Sequence, residues 1–568
     1  MTDNIYKKLS EERKQLQEQG LVPEWYTTAG YQMFKDKYEY ETNGKSVRGQ
    51  FERIAKTAAK HLPLMSRDTA EAEFFNLFWK GWLSPSTPVL ANMGTTRGMP
   101  VSCSGTVVGD SVDGFYSNLH EVAMLTKYGF GTATDFSHVR PRGSKISVGG
   151  KASGVLPVIK EHVNAMRNIA QGTARRGAWA CYLNIEHGDF QEVVDHISAE
   201  PDDLNVGWTI KQSFIDRLNA GDEEAIRRFQ AAMKVKMVTG KGYFFFVDKA
   251  NAKRPAMYRD LGLMINNSQL CSEIMLFNDE DHTYTCVLSS MNGSKYPEWK
   301  DTEAVYWATV FLDCVASEFI ERAEGISGLE KAVRFTKKGR ALGLGLCGIH
   351  TLFMQNMLPF ESFDAHMLSQ EIQAHIDKES LRASQDLALI LGEPEWCKGY
   401  GVRNTHRIAI APTKSTALLM GGISEGINPD PAMSYNQMTA AGEIDRLNPV
   451  LLGLMKEKGV YTKKHVQEIT DKQGSVQHVD WLTPEEKSVF KTAFEIDQKA
   501  VLRLASARSR YIDQWQSLNL FFAADEDPAK IAEVHKQAFL DPNILALYYI
   551  YTQAGVQAAK GEACEACM

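Results

Sequence analysis

Hydrophobic and polar positions along this chain follow two periods, and the changes from one to the other mark out its elements. Residues 5–20 and 46–62 read as amphipathic helices, the second (SVRGQFERIAKTAAKHL) with apolar positions three and four apart. STPVLANMG at 86–94 has the Pro and Gly of a loop, and VSCSGTVVG at 101–109 reads as a strand of small residues. A helix is expected over 113–130, then a Gly- and Arg-bearing loop, then a helix over about 155–170 that leads into the polar loop and strand QGTARRGAWACYL. Residues 207–240 read as mostly helical, and GYFFFVD as a short buried strand. Two strand-like runs, SQLCSEIML and YTCVLSSMN, bracket the polar turn FNDEDH. Helices resume over 302–324 and 364–391, HRIAIAPTKSTALLMGG is a strand, a loop and a helix start, and LALYYIYTQAG precedes a polar tail. Strands alternating with helices, without repeats or low-complexity tracts, predict an α/β protein with a closed or doubly wound sheet.

Composition narrows the classes. With 63 Lys and Arg against 70 Asp and Glu, the net charge of −7 leaves no basic footprint for a nucleic acid. No apolar run approaches a membrane span, and the charged start MTDNIYKKLSEERKQLQ is no secretory signal, so a cytoplasmic protein is expected. Nine cysteines, an odd number in such a chain, argue against a disulfide framework. Cys181, Cys314, Cys347 and Cys397 sit in apolar stretches and read as small buried hydrophobes.

The other five cysteines need separate treatment. Gln269, Cys271 and Glu273 are spaced by two, so a strand would turn all three to one face, a thiol beside a general base. The apolar flanks Leu270, Ile274 and Leu276 argue for burial of that face. Cys286 and Cys103 fall in two further strands and say little individually. The tail CEAC, Cys564 and Cys567, lies in a polar stretch without a core to bury it, and redox exchange explains it better than a metal.

Taken in order, STPVLANMG, VSCSGTVVGDSVD, QGTARRGA, LCSEI, APTKSTA and LYY followed by a Cys-bearing tail resemble the large, catalytic subunit of ribonucleotide reductase, over nearly all of residues 65–568. The resemblance implies a ten-stranded α/β barrel of the ribonucleotide reductase and glycyl-radical type behind an N-terminal helical region. Its expected boundaries are 1–65 helical, 66–553 catalytic barrel with an allosteric specificity site, and 554–568 redox-active tail. It implies that Cys271 carries a thiyl radical that removes the 3′ hydrogen of a ribonucleotide, and that Glu273 takes the 3′-hydroxyl proton. Cys103 and Cys286 would supply two electrons and form a disulfide, which Cys564 and Cys567 reduce by exchange. Gln269 stands where the family usually has Asn, one methylene longer with the same amide.

Substrate contacts are implied at Thr87, Ser102, Pro412, Thr413, Lys414, Ser415 and Thr416, the last five in APTKST at a helix entry suited to phosphate. Tyr548 and Tyr549 would relay a radical from a separate small subunit that holds the metal cofactor. This pair favours class I over the adenosylcobalamin-dependent class II, and the C-terminus lacks a glycyl-radical motif. Asp110, Ser111 and Arg140 resemble an effector site for a deoxynucleoside triphosphate or ATP with Mg²⁺, and Gln171 to Arg176, with Arg175 and Arg176, resembles the loop that reports the effector to the substrate. No tightly bound cofactor or metal is expected in this chain. The expected partners are a ribonucleoside diphosphate, the small subunit, thioredoxin or glutaredoxin, and a second copy. Only about 65 residues precede the catalytic region, so an ATP-cone on–off domain is expected to be missing. A class II enzyme, an inactive nucleotide-binding regulator and a general thiol–disulfide oxidoreductase are the competing readings. The last leaves APTKSTA and Asp110 unexplained.

Overall fold

The computed structural model describes residues 2–40, 46–171, 175–176, 178–439 and 442–553. Helices dominate the N-terminal part. The helix Val47–Ala59 starts where the Ser46 hydroxyl accepts the Gly49 N–H at 3.0 Å, and it buries Phe51 and Ile54. Leu64–Trp79 packs beside it, with Phe78 wedged between Phe51 and Phe311 of the long helix Ala304–Ala323. That contact ties the helical region to the rest of the molecule.

Eleven of the fifteen strands among the described residues frame the site: β1 Leu83–Pro85, β2 Cys103–Val107, β3 Gly131–Asp135, β4 Trp179–Asn184, β5 Asn205–Ile210, β6 Tyr243–Phe246, β7 Tyr284–Asn292, β8 Leu342–Cys347, β9 Leu520–Phe522, β10 Ala546–Leu547 and β11 Ile550–Thr552. β2 to β6 pair in order, all parallel. β8 runs parallel to β7, and single bridges carry the set on from Leu344 to Ile408 and from Ile410 to Gln516. β9 pairs parallel with β11. The two sets meet antiparallel at both edges, β2 against β7 and β6 against β10, and the long sheet curls into a half-barrel. Parallel strands covered on both faces read as continuous apolar runs, and Tyr243–Phe246 is buried throughout. No helix among the described residues is long and apolar enough to cross a membrane.

Three local expectations are corrected. Residues 205–210 form a strand, since Val206, Trp208 and Ile210 are buried and helix begins only at Gln212. The 86–94 stretch contains a short helix, Thr87–Asn92, which Pro88 permits in its first turn. SQLCSEIML is not a strand. It is a buried loop between the helix Ala256–Asp260 and β7, and Ser272 within it takes φ +68°, which no strand residue adopts. Its apolar residues are buried because the loop enters the half-barrel, not because it pairs in a sheet.

Gly105 shows how tightly that interior is filled. It pairs with Tyr284 across β2 and β7, and a Cβ there would lie 2.0 Å from the Tyr284 ring. Gly105→Ala should therefore destabilise the fold by about 2 kcal/mol or more, read as a lower thermal midpoint. An unchanged midpoint would show that the ring can move aside.

Candidate active site

Cys103 and Cys286, which are 183 positions apart in the chain, are direct partners in the β2–β7 ladder. Antiparallel partners stand about 4.5–5.5 Å apart at Cα, within the range that a disulfide spans. Both are buried. Room for the Cys286 sulfur comes from Gly343 of β8, where a Cβ would stand 2.8 Å from it. Burial pushes the Cys286 thiol far above its ordinary range.

The loop that holds Cys271 is fastened to the wall at four points. Tyr182 of β4 donates to the Gln269 carbonyl at 2.7 Å, and the Ser517 hydroxyl to the Cys271 carbonyl at 2.7 Å. The Trp515 N–H reaches the Glu273 carbonyl at 3.0 Å, and the Met275 N–H reaches Gln514 Oε1 at 3.1 Å. A turn closed by the Ser272 N–H on the Gln269 carbonyl, 3.3 Å, puts Cys271 at the tip. Gln269 works inside the loop: its Oε1 accepts from the Ile274 N–H at 3.2 Å and from the Ser268 hydroxyl at 3.0 Å. The three residues that a strand would have aligned are thus gathered by a turn instead.

Glu273 is wholly buried, and burial pushes its carboxyl up to about 7, although the Gln269 carboxamide and the Ser517 hydroxyl draw it part of the way back. Ser517 Oγ stands 2.9 Å from Glu273 Oε2 while also facing the Cys271 carbonyl. The hydroxyl carries one proton, which it can give either to the Glu273 carboxylate or to the Cys271 carbonyl. Oε1 of Glu273 is buried and has no hydrogen-bond partner among the described residues.

A small pocket of about 40 Å³ lies over these groups. Cys103, Cys271 and Glu273 line it, with Thr87, Ser102, Pro412, Thr413 and Thr416 from the expected substrate set. Lys414 and Ser415 are not among the lining residues; Lys414 is exposed, and Ser415 is buried in the short helix Lys414–Leu419. Ser84, Ser86, Ser289 and Ser290 also line the pocket and went unnoticed in the sequence. Apart from Glu273 no lining residue carries an ordinary charge, which suits a ligand held by hydroxyls and backbone.

Tyr548 and Tyr549 sit between β10 and β11, where the strand is interrupted. In an unbroken strand they would face opposite ways; here their rings lie 4.1 Å apart. The Tyr548 hydroxyl is 3.6 Å from Cys271 Sγ, and the hydroxyls of Tyr549 and Tyr243 are 3.3 Å apart. Tyr243 was missed because GYFFFVD reads simply as an apolar strand.

Away from the pocket, Arg140 Nε donates to Asp110 Oδ2 at 2.7 Å, and Ser111 caps the helix Val112–Lys127 by accepting the Gly114 N–H at 2.9 Å. Gln171, Arg175 and Arg176 fall in the paired two-residue strands Ala170–Gln171 and Arg175–Arg176, and their side chains lie outside the described residues. Cys564 and Cys567 lie outside the described residues as well. His61, Glu318 and Glu321 have the mutual spacing of metal ligands, but Lys60 already neutralises Glu318 at 2.7 Å.

Comparison with known proteins agrees with this arrangement. The family model for the ribonucleotide reductase barrel domain matches residues 101–228, 220–396 and 394–549, and that for the ribonucleotide reductase all-alpha domain matches 24–98. A Frog virus 3 (isolate Goorha) protein named as a putative ribonucleoside-diphosphate reductase large subunit is 32% identical, covering 84% of this chain and 86% of that one. The large subunit of Danio rerio is 26% identical over 93% of this chain and 76% of its own. Among solved structures, the Actinobacillus ureae class Id ribonucleotide reductase alpha subunit superposes with a TM-score of 0.86 at 35% identity, covering 94% of this chain and 98% of the other.

Proposed function

The chain belongs to the ribonucleotide reductase family as a class I large, catalytic subunit, and from that premise we propose how its residues divide the reaction. The observation that carries the reading is the Tyr548 hydroxyl set against Cys271 Sγ inside the half-barrel. A class I large subunit works with a separate small subunit, whose metal cofactor supplies the radical. Tyr549 and Tyr548 pass it inward, and Cys271 gives its thiol hydrogen atom to the Tyr548 oxygen. The Cys271 thiyl takes the 3′ hydrogen of the bound ribonucleotide and returns one at the end of the cycle. Glu273 accepts the 3′-hydroxyl proton through Oε1, which has no hydrogen-bond partner among the described residues. The 2′-hydroxyl leaves as water, and Cys103 and Cys286 lose two hydrogens in all to become a disulfide. Ribonucleotide and two thiols thereby give deoxyribonucleotide, disulfide and water.

The hydroxyls of Thr87, Ser102, Thr413 and Thr416, and the Pro412 backbone, are assigned to a ribonucleoside diphosphate, with Lys414 and Ser415 behind them. The buried disulfide cannot meet an external protein, so Cys564 and Cys567 are assigned to carry electrons from thioredoxin or glutaredoxin. Asp110, Ser111 and Arg140, with Gln171, Arg175 and Arg176, are assigned to a nucleoside triphosphate effector with Mg²⁺. Val112 and Tyr116, one turn apart on the helix that Ser111 caps, are 71% and 58% exposed, which supports a homodimer at that face. A cytoplasmic location completes the assignment.

Glu273 makes the reading testable by pH. Its carboxyl titrates near 7 in place of its ordinary 4.5, so the base form, and with it turnover, should grow as pH rises through 7. Stability should move the other way. The folded chain binds the extra proton between those values, so about 3 kcal/mol present at low pH is lost as pH rises through 7. Glu273→Gln should lower turnover by about 10²–10⁴-fold and remove the rising limb of the profile. Initial rates of deoxynucleotide formation with a class I small subunit, from pH 5.5 to 8.5, decide it; a variant that keeps the wild-type limb removes Glu273 from the proton step.

A further inference from the structure

Gln514 touches both halves of the chemistry, although the reaction scheme gives it no part. It is 1% exposed and lies in the segment that bridges Ile408–Ile410 to the site. Its Oε1 accepts the Met275 N–H at 3.1 Å, from the loop that presents Cys271 and Glu273. With the oxygen committed to a donor, Nε2 must face the other way, and its two hydrogens go to the Leu342 carbonyl at 2.8 Å and to Cys286 Sγ at 3.7 Å. Every polar atom of the carboxamide is therefore engaged, with partners on three separate elements: the loop, β8 and β7.

We propose that Gln514 is a positioning residue that tunes the Cys286 sulfur while fixing it in place against the radical-bearing loop. The inference rests on reading Cys103 and Cys286 as the electron-donating pair. An N–H donor favours the sulfur more in the reduced form than in the oxidised one, because a disulfide sulfur is the weaker acceptor. Around Cys286 the other influences oppose the thiolate: burial first, then the Glu273 and Asp513 carboxyls. Gln514 is the neighbour that acts in the opposite direction. When the pair is oxidised, two S–H bonds break, one S–S bond forms, and two protons and two electrons leave for the substrate step. Gln514 holds the reduced end of that balance down, as stabilisation of a reduced dithiol makes its disulfide the stronger oxidant and easier for the tail to reduce.

The test uses the full chain equilibrated in dithiothreitol buffers of set ratio, acid-quenched, alkylated and read by mass spectrometry for the Cys103–Cys286 link. Gln514→Glu keeps the acceptor for Met275 but offers no N–H to the sulfur, and Gln514→Met removes both. Each should raise the ratio of disulfide to dithiol about tenfold at a given buffer, equivalent to about 30 mV. Only Gln514→Met should also loosen the loop, seen as a further fall in single-turnover product with the small subunit. A simple strut would leave the ratio where it is, so wild-type ratios in both variants overturn the proposal. A wild-type chain that forms no Cys103–Cys286 link in any buffer overturns instead the reading on which it rests.

Discussion

Cys271→Ser abolishes ribonucleotide reduction, a fall of at least about 10⁴-fold, while the chain still folds and still binds nucleotide. The expectation comes from the site's construction. Cys271 is 1% exposed at the tip of a turn whose backbone is held by Ser517, Trp515 and Tyr182, none of which touches the loop through the sulfur. Serine fits the same space and leaves those bonds in place. It cannot do the chemistry, because an O–H bond is too strong to give its hydrogen to a tyrosyl oxygen. Among the described residues Cys103 and Cys286 cannot stand in: they are fixed to the wall by their own ladder and are assigned here as the electron donors. A 10⁴-fold loss corresponds to about 5 kcal/mol of barrier, the scale of removing a group that no neighbour replaces. Deoxynucleotide formation by chromatography, beside substrate affinity by calorimetry, reads both halves. Turnover within tenfold of wild type would end the thiyl assignment.

Tyr548→Phe gives the second large effect, again with activity expected to drop by at least about 10³-fold. Phenylalanine preserves the ring that packs 4.1 Å from Tyr549 and 4.9 Å from Tyr243, so the buried stack survives. What disappears is the oxygen 3.6 Å from Cys271 Sγ, the atom proposed to take the thiol hydrogen. About 4 kcal/mol of barrier is at stake. The loss should depend wholly on the radical coming from a separate subunit: equilibrium oxidation of Cys103 and Cys286 by dithiothreitol buffers should be untouched. Normal turnover in the variant, or turnover supported by adenosylcobalamin without a small subunit, would show that the radical reaches Cys271 by another route.

The two variants also separate what could be read along the chain from what could not. Local patterning located the helices Val47–Ala59, Val112–Lys127 and Phe363–Leu391 and the strands at Cys103, Tyr243 and Tyr284, because each buries one face or a whole run against its neighbours. It failed at SQLCSEIML. Alternating apolar residues look the same in a strand and in a loop threaded through a barrel, since both are surrounded by apolar side chains. Period-two spacing therefore brought Gln269, Cys271 and Glu273 together for the wrong reason. Ser517 and Gln514 went unmarked in DQWQSLNLFF, where polar residues amid apolar ones had no partner in sight until the loop docked on them.

The chain by itself determined which chemistry is available: five cysteines outside the apolar stretches, one glutamate beside the middle one, two adjacent tyrosines, and a motif order that names the family. Those are matters of covalent composition and local order, and they survive any folding. Tertiary structure alone decided the distances. Curling the sheet set Cys103 opposite Cys286, lowered the Cys271 loop onto Ser517 and brought the Tyr548 oxygen to its sulfur. It also decided the proton affinity of Glu273, because burial, which carries its carboxyl up to about 7, is a property of surroundings contributed by residues hundreds of positions away.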